Sequence, residues 1–239
     1  MNMKKIILII PAYNESENIE KVVKSITDYN KKNKQIIDYI IINDCSTDNT
    51  KEILQKNKFN HINLINNLGI GGAVQTGYKY AFDHGFDIAI QFDGDGQHDV
   101  SYVESLIDPI INGNCNMVIG SRFIDDNSSD FQSTFMRRVG IKTISSVIKY
   151  KTKTKITDTT SGFRAVDRNI MKQFIQNYPI EYPEPISTTD VLMEGYIVKE
   201  VPVNMHERQG GTSSIHSWKN AYYMINVILS ILTIRRKRK

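Results

Sequence analysis

The chain has 239 residues, 40% hydrophobic and 9% aromatic, enough for one sizeable packed domain without stapling. Two cysteines, Cys45 and Cys115, exclude a disulfide framework and suit a reducing cytoplasm. The net charge of +4 is uneven: Lys219 and the run Arg235 to Lys239 carry no acid among them, so the remaining body is slightly acidic, which excludes a basic nucleic-acid-binding face.

Lys4 and Lys5 precede an apolar run that superficially resembles a secretion signal. The run stops at Pro11-Ala12-Tyr13-Asn14-Glu15 with no small-residue cleavage site, so Lys5–Ile10 is expected to be a first strand. Glu17–Tyr29 sets Ile19, Val22, Val23 and Ile26 on one helical stripe. Strands are then predicted at Asp38–Asn43, His61–Ile65, Ile88–Phe92 and Asn116–Ile119, alternating with helices at Thr47–Gln55, Gly72–Phe82 and Ser101–Ile111. Continuous Ile/Val runs alternating with helices imply an α/β fold with a mainly parallel, Rossmann-like sheet covered on both faces. Asp125–Asp130 is expected to be a solvated loop. Beyond it, helices are predicted at Val139–Ile148 and Arg168–Ile175, and strands at Phe163–Val166 and Ile197–Val203. The Pro-rich stretch Tyr178–Pro185 is expected to be non-helical.

Ligands of such sheets bind beyond the carboxyl ends of the strands. Four strand ends carry the polar motifs: Pro11–Glu15, Asn43–Asp48, Asn66–Gly72 and Asp93–Asp99. Tyr13 could stack on a nucleobase or sit in the core. Asn67-Leu68-Gly69-Ile70-Gly71-Gly72 fails as a dinucleotide fingerprint, because its third glycine would fall at Val74; these glycines either let backbone approach a ligand or serve the turn. In Asp93-Gly94-Asp95-Gly96-Gln97-His98-Asp99, two carboxylates one residue apart can face one hard cation, Mg2+ or Mn2+. The alternative is an acidic turn with Asp99 capping the next helix. A calcium loop is rejected: His98 stands where glycine is required, and a strand precedes it.

Ile10-Pro-Ala-Tyr-Asn-Glu15, Asn43-Asp44-Cys-Ser-Thr-Asp48, Asn67-Leu-Gly69 with Gly72, Ala73 and Gly77, and Asp93-Gly-Asp95-Gly-Gln97-His98 follow in order. After them come Gly120-Ser-Arg-Phe123, Asp158-Thr-Thr-Ser-Gly-Phe-Arg164, Glu200-Val-Pro202 and Arg208-Gln-Gly-Gly-Thr-Ser213. Together these resemble the large family of inverting GT-A glycosyltransferases that includes dolichyl-phosphate and polyprenyl-phosphate mannose synthases, over nearly the whole chain. The resemblance implies a GT-A domain at residues 1–217; residues 218–239 read as a C-terminal amphipathic helix and polybasic tail. It implies that Pro11, Ala12, Tyr13 and Glu15 line a base and ribose pocket, that Asp44 bonds the base, and that Gly72 approaches the donor. Asp93, Asp95 and Gln97 would hold the metal, with Asp93 also near the ribose. Arg208 and Ser213 would meet the diphosphate or acceptor. Arg122, Arg164 and one of Arg137 and Arg138 would hold an acceptor phosphate, a task suited to a planar two-pronged donor.

One departure concerns the base. The family pattern puts an acid where this chain has Ile186, and the nearest carboxylates are Glu184 and Asp190. Glu184, between Pro183 and Pro185, is the candidate catalytic base. From Trp218 to Ile234 a helix carries a narrow polar stripe and a wide apolar side with Tyr222, Ile225, Leu229 and Leu232, flanked by Met224, Ile228 and Ile231. That apolar stretch is shorter than the ~20 residues that span a bilayer, and five cations follow it, so it is expected to lie on an anionic membrane surface.

The expected function is transfer of a sugar from a UDP- or GDP-type donor to a lipid-linked or surface-glycan acceptor, at the inner face of the cell membrane. The alternatives are a polyprenyl-phosphate sugar synthase and a non-catalytic sugar-nucleotide binder. A nucleotidyltransferase is excluded, since Pro11–Glu15 contains no Lys or Arg where that class needs a basic phosphate loop. Homo-oligomerisation is left open.

Overall fold

The structure, a computed structural model, describes residues 4–124, 135–205 and 217–235. Strands β1 (Ile6–Ala12), β2 (Ile37–Asn43), β3 (His61–Asn63) and β4 (Ile88–Gln91) pair in parallel in the order β3-β2-β1-β4. They are joined by helices α1 (Ile19–Lys32), α2 (Thr50–Lys56) and α3 (Gly69–Asp83). Every residue of β1 is buried, as expected of a strand covered on both faces. Its alternate side chains serve two cores. Ile6, Leu8 and Ile10 meet Ile19, Val23 and Ile26 of α1, together with Leu106 of α4 (Val103–Ile111). Ile7 and Ile9 share the other core with Val74 and Tyr78 of α3.

The second half extends the sheet to β3-β2-β1-β4-β6-β5-β7 with β5 (Met117–Ser121), β6 (Arg164–Asp167) and β7 (Val198–Pro202). The mainly parallel expectation holds with one reversal: β6 runs antiparallel to both its neighbours, while β5 and β7 are parallel. The cause is the excursion between β5 and β6, which starts and finishes at the same end of the sheet. Ser121 at the close of β5 hydrogen-bonds Thr157 side chain to side chain at 2.9 Å, so β6 must set out from the end where β5 stops.

Helices α5 (Phe135–Thr152), α6 (Arg168–Gln176), α7 (Pro183–Met193) and α8 (Ser217–Thr233) complete the chain. Helix α7 corrects the sequence reading. Residues before Pro183 are indeed non-helical, but the two prolines open the helix instead of preventing it. Pro183 lies at its first turn, where a missing N–H costs nothing and a fixed φ suits the helix. The structure divides the apolar side of α8. Val227 and Ile231 are fully buried in the second core, so that side is not available to a membrane, while Ile225, Leu229 and Leu232 are 58%, 54% and 49% exposed on another face. Contacts between Gly140 and Met224, and between Lys151 and the Leu232 carbonyl, keep chain order, so α5 and α8 lie side by side in one direction. The Asp125–Asp130 loop lies outside the described residues.

Candidate active site

The ends of β1, β2 and β4 and the chain after β3 form one rim, and hydrogen bonds between successive loops build it. Asn14 stands at φ 56°, a left-handed conformation that asparagine tolerates. Its side-chain oxygen accepts from the Thr47 N–H at 2.8 Å, and its own N–H donates to the Ser46 hydroxyl at 3.0 Å. The Glu15 N–H donates to the Thr50 hydroxyl at 2.9 Å. Asp44 links three strand ends: its N–H donates to the Ala12 carbonyl at 2.9 Å, and its carboxylate accepts from the Leu68 N–H at 2.7 Å. Cys45, at φ 58°, adds one more left-handed residue around this rim. Such strain persists where surrounding structure over-determines it, and it clusters at functional sites.

Within that frame Tyr13 is 49% exposed, so it belongs to the rim and not to the core. Pro11 and Ala12 are buried in β1 and contribute through backbone. Glu15 is buried, and its carboxylate accepts from the Asn18 amide at 2.9 Å at the start of α1. The glycines serve the turn and its packing. Gly69 has φ +73°, a Cβ on Gly71 would lie 2.3 Å from the Pro179 carbonyl oxygen, and one on Gly72 would lie 2.5 Å from Leu68 Cβ. Gly72 therefore leaves no room for a side chain against Leu68.

Asp93, Asp95 and Gln97 leave β4 half-buried, and Asp95 accepts from the Gln97 N–H at 3.1 Å. Asp99 caps the following 3-10 turn by accepting from Ser101 N–H at 2.8 Å, so the capping role and the carboxylate pair coexist. His98 Nε2 lies 3.0 Å from Asp93 Oδ2. A Cβ on Gly162 would lie 2.9 Å from the same oxygen, so only glycine leaves room for the carboxylate there.

Glu184 also faces this cluster: it interacts with the Gln91 side chain and with the charges of Arg164 and Asp93. Burial pushes its carboxyl above the usual range, Arg164 opposes that shift, and the Asp93 charge adds to it. Burial acts on Asp93 too, but the attraction and hydrogen bond of His98, with help from Gln91 and Arg164, hold its carboxyl below its ordinary value. Two neighbouring carboxyls are thus pushed apart, the arrangement that separates a resident anion from a proton-handling group.

Among the described residues no three His, Cys, Asp or Glu side chains converge as an all-protein metal cage. Two carboxylates and an amide oxygen at a strand end instead form the kind of partial set that Mg2+ or Mn2+ completes with substrate phosphate, so the donor set fits such an ion.

The arginines are placed differently from the expectation. Arg122 is buried in a two-pronged pair with Asp158, Nε to Oδ2 at 2.7 Å and Nη2 to Oδ1 at 2.8 Å. Glu200 accepts from the Thr157 and Asp158 N–H groups at 2.8 Å and anchors the same loop. Arg164 is fully buried and donates to the Ser161 and Glu184 carbonyls and to the Ser187 and Thr188 hydroxyls. Both brace β5, β6 and α7 from within, so any contact they make to an acceptor phosphate would come from buried, already bonded side chains. Arg138 is exposed on the first turns of α5 and retains that role as a candidate. Arg208, Ser213 and the Arg137 side chain lie outside the described residues. Sequence reasoning missed Asn14 as the clamp between two loops, Gly162 beneath Asp93, and His98 as a partner of Asp93. The motifs containing them were visible, but not the contacts across loops.

The family model for glycosyl transferase family 2 matches residues 7–175, from β1 into α6. The chain belongs to glycosyl transferase family 2. It is a glycosyltransferase with a GT-A fold, as the motifs implied. It is 36% identical over 187 residues to a UDP-N-acetylglucosamine–dolichyl-phosphate N-acetylglucosaminyltransferase of Methanococcus voltae, covering 71% of this chain and 72% of that protein. It is 24% identical over 222 residues to a polyprenol monophosphomannose synthase of Mycolicibacterium smegmatis, covering 89% and 81%. Among solved structures, glucosyl-3-phosphoglycerate synthase of Mycobacterium tuberculosis, crystallised with Mn2+, UDP-glucose and phosphoglyceric acid, superposes with a TM-score of 0.69 at 16% identity, over 96% of this chain and 79% of that one. At that identity the likeness speaks for the fold.

Proposed function

We propose that this family member moves a sugar from a nucleotide-diphosphate donor, held with Mg2+ or Mn2+ at Asp93, Asp95 and Gln97, to the phosphate of a polyprenyl or dolichyl lipid. The carrying observation is the paired, half-buried carboxylates at the end of β4, set beside a rim that presents Tyr13 and is tied together by the buried Asp44. Relatives named for transfer to dolichyl or polyprenyl phosphate support the acceptor class. Tyr13 stacks on the base, and the buried Asp44 holds the loops that frame the base pocket. The bound metal supplies Lewis-acid stabilisation of charge on the leaving diphosphate. A lipid phosphate oxygen attacks the anomeric carbon in line; the bond to the diphosphate oxygen breaks, its electron pair leaves with the diphosphate, and the configuration inverts.

A phosphate monoester is already ionised near neutral pH, so this acceptor needs no base. That accommodates Ile186 at the family's acid position. A second reading, with a hydroxyl of a lipid-linked or surface glycan as acceptor, is favoured by Glu184, whose raised carboxyl beside Asp93 suits a general base. Incubation with UDP- or GDP-sugars, Mn2+ and bare undecaprenyl phosphate separates the two. A new sugar-phosphate lipid supports the first reading. Product only on glycan-bearing lipid supports the second.

Peripheral attachment at the inner face of the membrane belongs to the same proposal. No helix among the described residues is long and apolar enough to cross a bilayer. Helices α5 and α8 contain no acid; α5 exposes Arg138, Lys142 and Lys149, and α8 exposes Ile225, Leu229 and Leu232. Cations beside an apolar stripe suit an anionic lipid surface.

A further inference from the structure

We propose that His98 is a positioning residue for the donor metal: its Nε2–H holds one oxygen of Asp93, so that the other oxygen is presented to the metal and donor. The inference rests on the metal reading of Asp93 and Asp95 given above.

A carboxylate only accepts, so at 3.0 Å the proton between His98 Nε2 and Asp93 Oδ2 is on the nitrogen. That fixes which ring nitrogen donates, whatever the total charge of the ring. The imidazole is itself fixed. Its side chain is 2% exposed, stacked on Phe163 at 4.7 Å with planes 23° apart, and set edge-on to Phe92 at 5.6 Å. Its backbone forms an isolated antiparallel bridge with Met205, beyond β7. The other oxygen of Asp93 is held loosely, with Gln91 Nε2 at 3.4 Å. One oxygen is therefore occupied in a rigid aromatic slot and the other is left for a ligand. Outer partners of this kind orient metal-binding carboxylates.

The opposite ring nitrogen argues that packing is not the purpose of this side chain. Among the described residues Nδ1 is buried without a hydrogen-bond partner, which is a cost to folding. A phenylalanine would fill the same slot between Phe92 and Phe163 without it. A histidine here is explained by what Nε2 does for Asp93. A filler would make the opposite trade.

The experiment compares the full chain with His98→Phe and His98→Gln, using calorimetric titration with UDP in the presence of Mn2+ or of EDTA, alongside thermal melting. His98→Phe is expected to melt within a few degrees of the parent. It should lose about 10–100-fold in Mn2+-dependent UDP affinity and keep its Mn2+-independent affinity. His98→Gln, which restores a donor, is expected to recover part of the loss even if its packing lowers the melting point. Parent-like Mn2+-dependent binding in His98→Phe would overturn the inference, as would equal losses with and without metal. If His98→Phe does not fold, His98→Leu takes its place, and parent-like metal-dependent binding in that chain would overturn the inference as well. A parent chain that gains no UDP affinity from Mn2+ would instead refute the metal reading, a result distinct from any difference between variants.

Discussion

The two halves of this molecule use polar side chains in opposite ways. From β1 to β4, polar groups leave the strand ends, tie neighbouring loops together, and still present Tyr13, Asp93 and Asp95 at the rim. From β5 onward, the strongest polar groups turn inward: Arg122 is consumed by Asp158, and Arg164 by carbonyls and hydroxyls of the loop before β6 and of α7. The first half keeps its charge where a ligand can reach it. The second half uses charge as internal bracing and turns an apolar stripe of α8 outward.

The largest effect expected from that contrast is on turnover. Asp95→Asn should cut sugar transfer by roughly 10^3-fold, because one carboxylate of the metal set is lost, while leaving the melting temperature nearly unchanged. Steady-state rates and a thermal melt on the same sample check both halves of the statement. Arg122→Ala should do the reverse. It strands Asp158, which is fully buried, and such a deletion costs about 3–5 kcal/mol of stability. Denaturant titration reads that loss; unchanged stability combined with a lost affinity for lipid phosphate would return Arg122 to the acceptor site.

A smaller effect concerns Glu184. Its folded carboxyl titrates above its ordinary value of 4.5, so its contribution to stability is full below that value and is lost as pH rises through the raised one. Asp93, held low, contributes in the opposite sense and loses its contribution as pH falls through its depressed value. Glu184→Gln should therefore flatten the loss of stability on the rising side of the weakly acidic range, seen as melting temperature against pH. With a lipid phosphate as acceptor, turnover should stay within about tenfold of the parent. A collapse of turnover, with its acid limb abolished, would favour the hydroxyl acceptor. The smallest effect on the fold is expected from Ile225→Ser, Leu229→Ser and Leu232→Ser combined. Each side chain is exposed, so stability should change by only about 0.5 kcal/mol per site, while sedimentation with anionic vesicles should fall sharply.

The same contrast explains what could be read from sequence. Strands of the first half are unbroken Ile/Val runs, and their polar motifs follow immediately, so both the sheet and the rim were legible. The second half hides its logic in distant partners. Nothing local to Arg122 announces Asp158, 36 positions on, and nothing in Pro183-Glu184-Pro185 distinguishes a loop from a helix opening with prolines. The wide apolar side of α8 could be seen, but not that Val227 and Ile231 would be spent on the core. His98 was visible only as a misfit to a calcium loop. Its setting depends on Phe163, which stands immediately before the reversed strand β6, 65 positions on.

The donor site itself is tested most directly by crystals grown with UDP and Mn2+, with anomalous diffraction recorded at the manganese edge. The account predicts one anomalous peak bridging Asp95 and the diphosphate, with the uracil against Tyr13. UDP bound at this rim with no manganese near Asp93 or Asp95, or bound elsewhere, would contradict it.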